Sequence, residues 1–277
     1  MRRDISGIDC EIHDLLVRRA ELDSEEDSES EIPAPLRTAR TARILRAVLG
    51  RHSGTFPLRA LVRIWSDILF ASDTQTTLHV FVGENGPGFR DLARAHFGSM
   101  LPIVAHASTS AVAHACADDS AALGLVPPPE TIESGQTWWE QLVPTGRSGP
   151  RVVQFLPFLQ NDAASVSLPQ GYVIGAAEQE ATGKDTTLLR LECHAQASRG
   201  RLLSLLRQAG FDPHILAASR ESAKTVATRL LVANKGFVAV DDKRLSALAD
   251  VAEEAIERVA LVGGYADPFD AAAPNET

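Results

Sequence analysis

Along the first 76 residues apolar positions recur every three or four residues, the period of an amphipathic helix. Ile5, Ile8, Ile12, Leu15, Leu16 and Leu22 mark a first helix, residues 36–49 a second and residues 57–76 a third. No stretch in this part carries the alternation of a strand, so the pattern predicts a three-helix module over residues 1–76. From Leu78 onward the pattern changes to short apolar runs separated by helical stretches and Gly/Pro punctuation. Residues 77–180 read as β/α units: strand LHVFV, the turn GENGPG, helix FRDLARAHFG, strand PIVAH, helix TSAVAHACA and strand AALGLV, followed by the apolar runs RVVQFL and GYVIG. Residues 186–268 give TTLLRLEC, RGRLLSLLRQAG, FDPHILAA, TVATRLLVA, DKRLSALADVAEEAIE and RVALVGG, in the order βαββαβ of a ferredoxin-like unit. The expected fold class is therefore α plus α/β: a helical module, a small α/β lobe and a ferredoxin-like domain. The polar tail, 269–277, is expected to fray. The acidic run ELDSEEDSESEIPAP is expected to form solvated or partly disordered chain between the first two helices.

Charge narrows the function classes. The 277 residues carry 27 Lys+Arg against 36 Asp+Glu, a formal charge of -9. That balance opposes sequence-independent binding of a polyanion, and nucleic acid is not an expected partner. Cys10, Cys116 and Cys193 form an odd set without CxxC spacing, which predicts neither disulfides nor a zinc site and fits a reducing compartment. The first residues lack the apolar run of a signal peptide, and no stretch approaches about 18 uncharged apolar residues. A cytoplasmic protein without a membrane segment is expected. The segment TGKDTT lacks the first glycine of a phosphate loop, Glu178 standing there, and is expected to be a loop entering a strand. Trp138 and Trp139 are expected in a core or a lobe interface and His194 in a structural role.

The candidate chemistry lies in the helical module. Wound at about 100° per residue, Arg2, Asp9 and Arg19 fall within about 60° of Ile5, on the side of Ile12 and Leu16. Arg40 and Thr41 share the face of Ile44 and Val48, whereas Arg46 faces away. Ser72 and Gln75 continue the stripe of Leu61, Trp65 and Ile68. Inward arginines need internal carboxylates or an anionic ligand, unless their stems carry the charge to water. Asp9 is the only inward carboxylate this reading finds. Together these residues describe a cavity able to grip carboxylates in bidentate fashion.

RRDISGIDCEIHDLLVRRAEL resembles the opening helix of the all-helical chorismate mutases, with its Leu-Arg-x-x-Ile-x-x-Ile-Asp pattern and later Arg. RTARILRAVL resembles that family's second-helix Arg-Glu-x-x-Ile-Leu element, and LVRIWSDILFASDTQ its third helix. The resemblance implies an isomerase of the shikimate pathway that rearranges chorismate to prephenate in aromatic amino-acid biosynthesis, without cofactor or metal. It also implies a homodimer through the helical domain. It assigns catalytic roles to Arg2, contributed to the partner subunit's site, and to Arg19 and Arg40. Thr41, Ser72, Gln75 and Thr76 fall at or beside substrate-binding positions. Thr41 replaces the family Glu, and Thr76 its Gln, with Gln75 one position early. The family Lys would fall in DSEEDSESE, which has none. The rearrangement is unimolecular and needs positioning plus charge stabilisation, so loss of that cation implies reduced activity, at a cost of about 2.7 to 4 kcal/mol by analogy with an oxyanion donor.

HVFVGENGPGFRDLARAHFGS and AALGLVPPPE resemble the first lobe of prephenate dehydratases, but that family's Thr-Arg-Phe motif falls on Gln170, Gly171 and Tyr172. Dehydratase activity is not expected. GFVAVDD and VALVGGY resemble the ACT domain that follows dehydratases. The phenylalanine-binding elements of that domain read Ala197-Ser198-Arg199-Gly200 and Ala218-Ser219-Arg220-Glu221 here. The reading is thus a chorismate mutase of reduced activity joined to dehydratase-like and ACT-like segments. The alternative is a non-catalytic regulatory or scaffolding homologue that binds an aromatic metabolite.

Overall fold

The computed structural model describes residues 2–29, 34–71, 73, 75–83, 88–129, 137–142, 149–162, 168–194, 196–220, 227–252 and 255–272. Helix α1 (Arg2–Glu29) is followed by a 3-10 turn (Ala34–Leu36), α2 (Thr38–Gly50) and α3 (Leu58–Phe70). The β/α part comprises β1 (Leu78–Phe81), α4 (Gly88–Phe97), β2 (Ile103–His106), α5 (Thr109–Asp118), β3 (Leu123–Val126), α6 (Trp138–Gln141), β4 (Arg151–Leu156), β5 (Leu159–Gln160) and β6 (Gly171–Gly175). Then come β7 (Asp185–His194), α7 (Arg199–Gln208), β8 (Pro213–Arg220), β9 (Ala227–Lys235), α8 (Lys243–Val251), β10 (Ile256–Ala266) and β11 (Phe269–Asp270).

Nine strands form one mixed sheet in the order β2-β1-β3-β6-β4-β10-β7-β9-β8. β1 runs parallel to β2 and β3, while β6 is antiparallel to β3 and β4. β10 lies between β4, to which it is parallel, and β7, to which it is antiparallel. Strands drawn from 77–180 and from 186–268 therefore meet edge to edge. They meet at Gly263, whose φ is +119° and where a Cβ would overlap the Val152 carbonyl oxygen. Only glycine satisfies both conditions.

Apolar burial explains the layers. Leu45, Leu49, Val62 and Phe70 from α2 and α3 pack with Leu78, Leu92, Phe97 and Leu156, so the helical segment covers one face of the β/α sheet. Val112, Trp138, Tyr172 and Leu188 fill a second core, and α7 and α8 close a third through Leu202, Leu206 and Leu248. Trp138 and Trp139 are buried as expected, and the Trp138 indole N–H donates to the Pro127 carbonyl at 3.0 Å. Helix α1 differs from the rest. Among its described residues no apolar side chain is buried, and Ile5, Ile8, Ile12, Leu15, Leu16 and Leu22 are 41–64% exposed.

Three local expectations are corrected. The acidic run is helical as far as Glu29, because Arg19 and Asp23 pair one turn apart and tie this part of the helix to α2; residues 30–33 lie outside the described ones. Helix α8 stops at Val251, since Ala255 and Ile256 bury into the third core and the chain pairs with β7 from Ile256 onward. The tail does not fray from its start: Phe269 N–H donates to the Phe158 carbonyl at 2.7 Å and Ala271 N–H to Gln160 at 3.0 Å, forming β11 against β5. The TGKD segment is a loop entering β7 whose Thr182 and Gly183 amides are taken by the Asp185 carboxylate, at 2.8 and 3.1 Å. Arg46, outward on its own helix, locks onto this loop. Its guanidinium donates to Thr182 Oγ1 at 2.7 Å, the Lys184 carbonyl at 2.6 Å and the Asp267 carbonyl at 2.7 Å.

Candidate carboxylate-binding site

Three helices bring the charged cluster together. Arg19 and Asp23 occupy successive turns of α1, and Arg40 rises from the first turns of α2. The Arg40 guanidinium donates to Asp23 Oδ1 at 2.8 Å, and that of Arg19 pairs with Asp23 Oδ2. The Arg19 guanidinium also lies 5.7 Å from the ring centroid of Trp65 on α3, within cation–π range. The side chains of Arg19, Asp23 and Arg40 are 23%, 20% and 35% exposed, so the cluster is sheltered but reachable from solvent. Two guanidiniums from different helices thus converge on one carboxylate. Chemically this is a clamp for carboxylate groups, with an aromatic face beside it.

Sequence winding finds Arg19 and Arg40 and misses their partner. Asp23 sits in the run read as irregular chain; its i,i+4 spacing from Arg19 was the signal available. Asp9, expected to face inward, is exposed. Thr41 is buried on another side, in a small cavity shared with Thr38, His96 and Gln154. Thr76 is fully buried and donates through Oγ1 to Asp73 Oδ2 at 3.0 Å, whereas Gln75 is exposed, its amide N–H bonded to Asp73 Oδ1 at 2.9 Å. These three therefore do not join the arginine cluster within one chain. The side chain of Arg2 and all of Ser72 lie outside the described residues.

A second polar group lies between helices and sheet. His96 is 4% exposed, and neither its Nε2, nor Gln154 Oε1, nor Ser66 Oγ has a hydrogen-bond partner. Burial pushes the His96 pKa down to about 4, opposed by the neighbouring Gln154 side chain, so the ring is neutral near pH 7.

In the dehydratase-like segment Gly171 and Tyr172 lie in β6. A Cβ at Gly171 would stand 3.0 Å from Leu125 Cδ1 and 3.1 Å from the Val126 carbonyl. Tyr172 packs against Phe155 and Trp138, at centroid distances of 4.9 and 5.6 Å. In the ACT-like segment Ser198 caps α7 by accepting from the Arg201 amide at 3.2 Å, and Ser219 bonds the Glu140 carboxylate. Among the described residues no group of three His, Cys, Asp or Glu could hold a metal ion, and no helix is long and apolar enough to cross a membrane.

No protein-family model and no curated protein sequence matches the chain. Among solved structures it is similar to GqqA, described as a novel type of quorum quenching acylase, with 17% identity over 69% of this chain and 95% of that one and a TM-score of 0.48. It is also similar to the prephenate dehydratase of Streptococcus mutans, with 15% identity over 69% of this chain and 98% of that one and a TM-score of 0.46. The prephenate dehydratase of Staphylococcus aureus subsp. aureus Mu50 gives 13% identity over 68% of this chain and 99% of that one, with a TM-score of 0.45.

Proposed function

We propose that the chain is a chorismate mutase of reduced activity, rearranging chorismate to prephenate through the arginine clamp of its N-terminal helices. The observation that carries this reading is the convergence of Arg19 and Arg40 on a single carboxylate position, now held by Asp23. A substrate carboxylate entering the clamp displaces Asp23 and keeps both guanidiniums paired. The rearrangement then needs no proton transfer, nucleophile or metal, only a dianion held in its reactive conformer. Stabilisation of the ether oxygen is the weak link, because no Lys occurs before Lys184. The reading stops at this one step. At Gly171, where the dehydratase pattern puts a larger side chain, a Cβ would stand 3.0 Å from Leu125 Cδ1 and 3.1 Å from the Val126 carbonyl, so a larger residue fits only if these neighbours give way.

The same reading makes the protein a homodimer through α1. A 28-residue helix, about 42 Å long, with its apolar stripe exposed lacks the burial that normally sustains a helix. The occupant we infer is the α1 of a second copy, running antiparallel. Arg2 and Arg3 begin the helix while Glu25, Glu26, Asp27 and Glu29 end it, so antiparallel pairing sets unlike charges together at both ends. In the dimer Arg2 is supplied to the partner's clamp.

The alternative of a non-catalytic binder is favoured by Asp23 itself, which already pairs with both guanidiniums and offsets one of their two charges. Incubating the purified chain with chorismate and following its loss separates the two. Turnover above background is expected, and Arg19→Ala and Arg40→Ala should each lower kcat/KM by roughly a hundredfold, on the scale of losing one transition-state donor. No turnover leaves only the binder; turnover indifferent to both substitutions moves the site elsewhere.

A further inference from the structure

The carboxylate that joins the two guanidiniums of the N-terminal helices belongs to the chain itself. Asp23 spreads its oxygens over both, Oδ1 accepting from the Arg40 guanidinium at 2.8 Å and Oδ2 pairing with that of Arg19. An incoming carboxylate would bridge the same two groups in the same way. The clamp therefore shows the chemistry of its ligand, and shows it with the position already filled.

Asp23 differs from a sealed structural ion pair. Its side chain and those of Arg19 and Arg40 are 20–35% exposed, so water reaches all three and the pairs are weak enough to exchange. Helix stability does not call for it either: with Arg19 on the N-terminal side, this i,i+4 pair runs in the less favourable of its two orders. Fixed one turn from Arg19 on the same helix, Asp23 meets the clamp at an effective concentration on the order of millimolar or more, whereas a free acid must come from solution.

We infer that Asp23 is an internal competitor for the arginine clamp: it occupies the carboxylate position in the resting protein, and a ligand enters only by exchanging with it. The inference rests on the reading of Arg19 and Arg40 as a carboxylate site and adds the residue that regulates entry to it. Asp23 thereby sets the threshold that an anionic ligand must exceed, and removing its charge lowers that threshold.

Calorimetric titration of the full chain with succinate, an unreactive dicarboxylate, tests this apart from turnover. Asp23→Asn keeps the side-chain shape without the charge. It should bind succinate at one site per chain about tenfold more tightly than the wild type, because the ligand no longer breaks two ion pairs. Adding Arg19→Ala or Arg40→Ala should abolish the gain. Asp23→Ser should repeat it, with circular dichroism checking that α1 stays helical in both variants. Asp23→Glu keeps a carboxylate within reach of the clamp and should show no such gain. Nor should Asp14→Asn, the same change of net charge at an exposed position of α1. Failure of both Asp23→Asn and Asp23→Ser to bind succinate more tightly than the wild type, or an equal gain in Asp14→Asn, overturns the inference. Chorismate loss is followed in parallel. Tighter succinate binding without turnover in any variant upholds the role of Asp23 and removes only the mutase reading. Unchanged succinate affinity beside measurable turnover removes the role of Asp23 and leaves the mutase.

Discussion

His96 makes the stability of this protein depend on pH in a definite direction. Its native pKa, pushed down to about 4, lies below the ordinary value of 6.5 that the unfolded chain shows. Between those values the unfolded state takes up a proton that the native ring refuses. The contribution is therefore complete above about pH 6.5 and is lost as pH falls toward 4, amounting to about 3 kcal/mol at roughly 1.4 kcal/mol per unit. Urea denaturation midpoints at pH 7 and pH 4.5 should fall further for the wild type than for His96→Leu; parallel losses would refute the linkage. The two buried thiols have no such role, since burial raises Cys116 and Cys193 to about 12 and keeps them protonated. Single residues were legible in the sequence only where their helix packs as assumed. The winding of α2 and of the end of α1 identified Arg40 and Arg19, but Asp9 was placed inward on the premise that the Ile5 stripe faces this chain's own core.

Helix α1 shows what periodicity can and cannot tell. Ile5, Ile8, Ile12, Leu15 and Leu22 follow the three-and-four spacing of a coiled-coil seam, with Arg19 in the one polar seam position. That pattern identifies a helix and an apolar face without saying whether the face meets its own chain. Here its apolar side chains stay exposed, while Arg19 reaches Trp65 of the same chain. Introducing two charges into the seam, Ile8→Asp with Ile12→Asp, should leave a folded monomer in analytical ultracentrifugation, with chorismate turnover lost alongside the dimer. A wild-type chain that sediments as a monomer at micromolar concentration would refute the pairing. Elsewhere the strands were legible from their short apolar runs, while α8 was overextended through DVAEEAIE. Good helix formers there are overridden by the pairing of Ile256 with Cys193, a non-local contact that no local propensity contains.

At the scale of the whole molecule the two α/β segments were legible as separate patterns, and their fusion into one sheet was not. Fusion rests on the parallel contact of β10 with β4, distant in sequence and permitted by Gly263. Gly183 offers an internal comparison: its φ is also positive, +95°, but nothing lies within 4 Å of where its Cβ would stand. Gly183→Ala should cost about 1 kcal/mol from backbone strain alone. Gly263→Ala should cost several times more, read from urea midpoints, because the methyl group also displaces the Val152 backbone. Equal losses at the two sites would mean that the β4–β10 contact carries little of the stability.

β10 has a further consequence during synthesis. It is the last strand of the large sheet to be made and stands inside the sheet, sixth from the β2 edge, with β4 on one flank and β7 on the other. Until residues 256–266 have left the ribosome, both neighbours present an open edge of unpaired amides and carbonyls. The nascent chain thus carries two sticky borders until β10 arrives and then loses them together. A product ending before Ile256 inherits both borders permanently, which makes early termination a route to aggregates instead of to a working fragment.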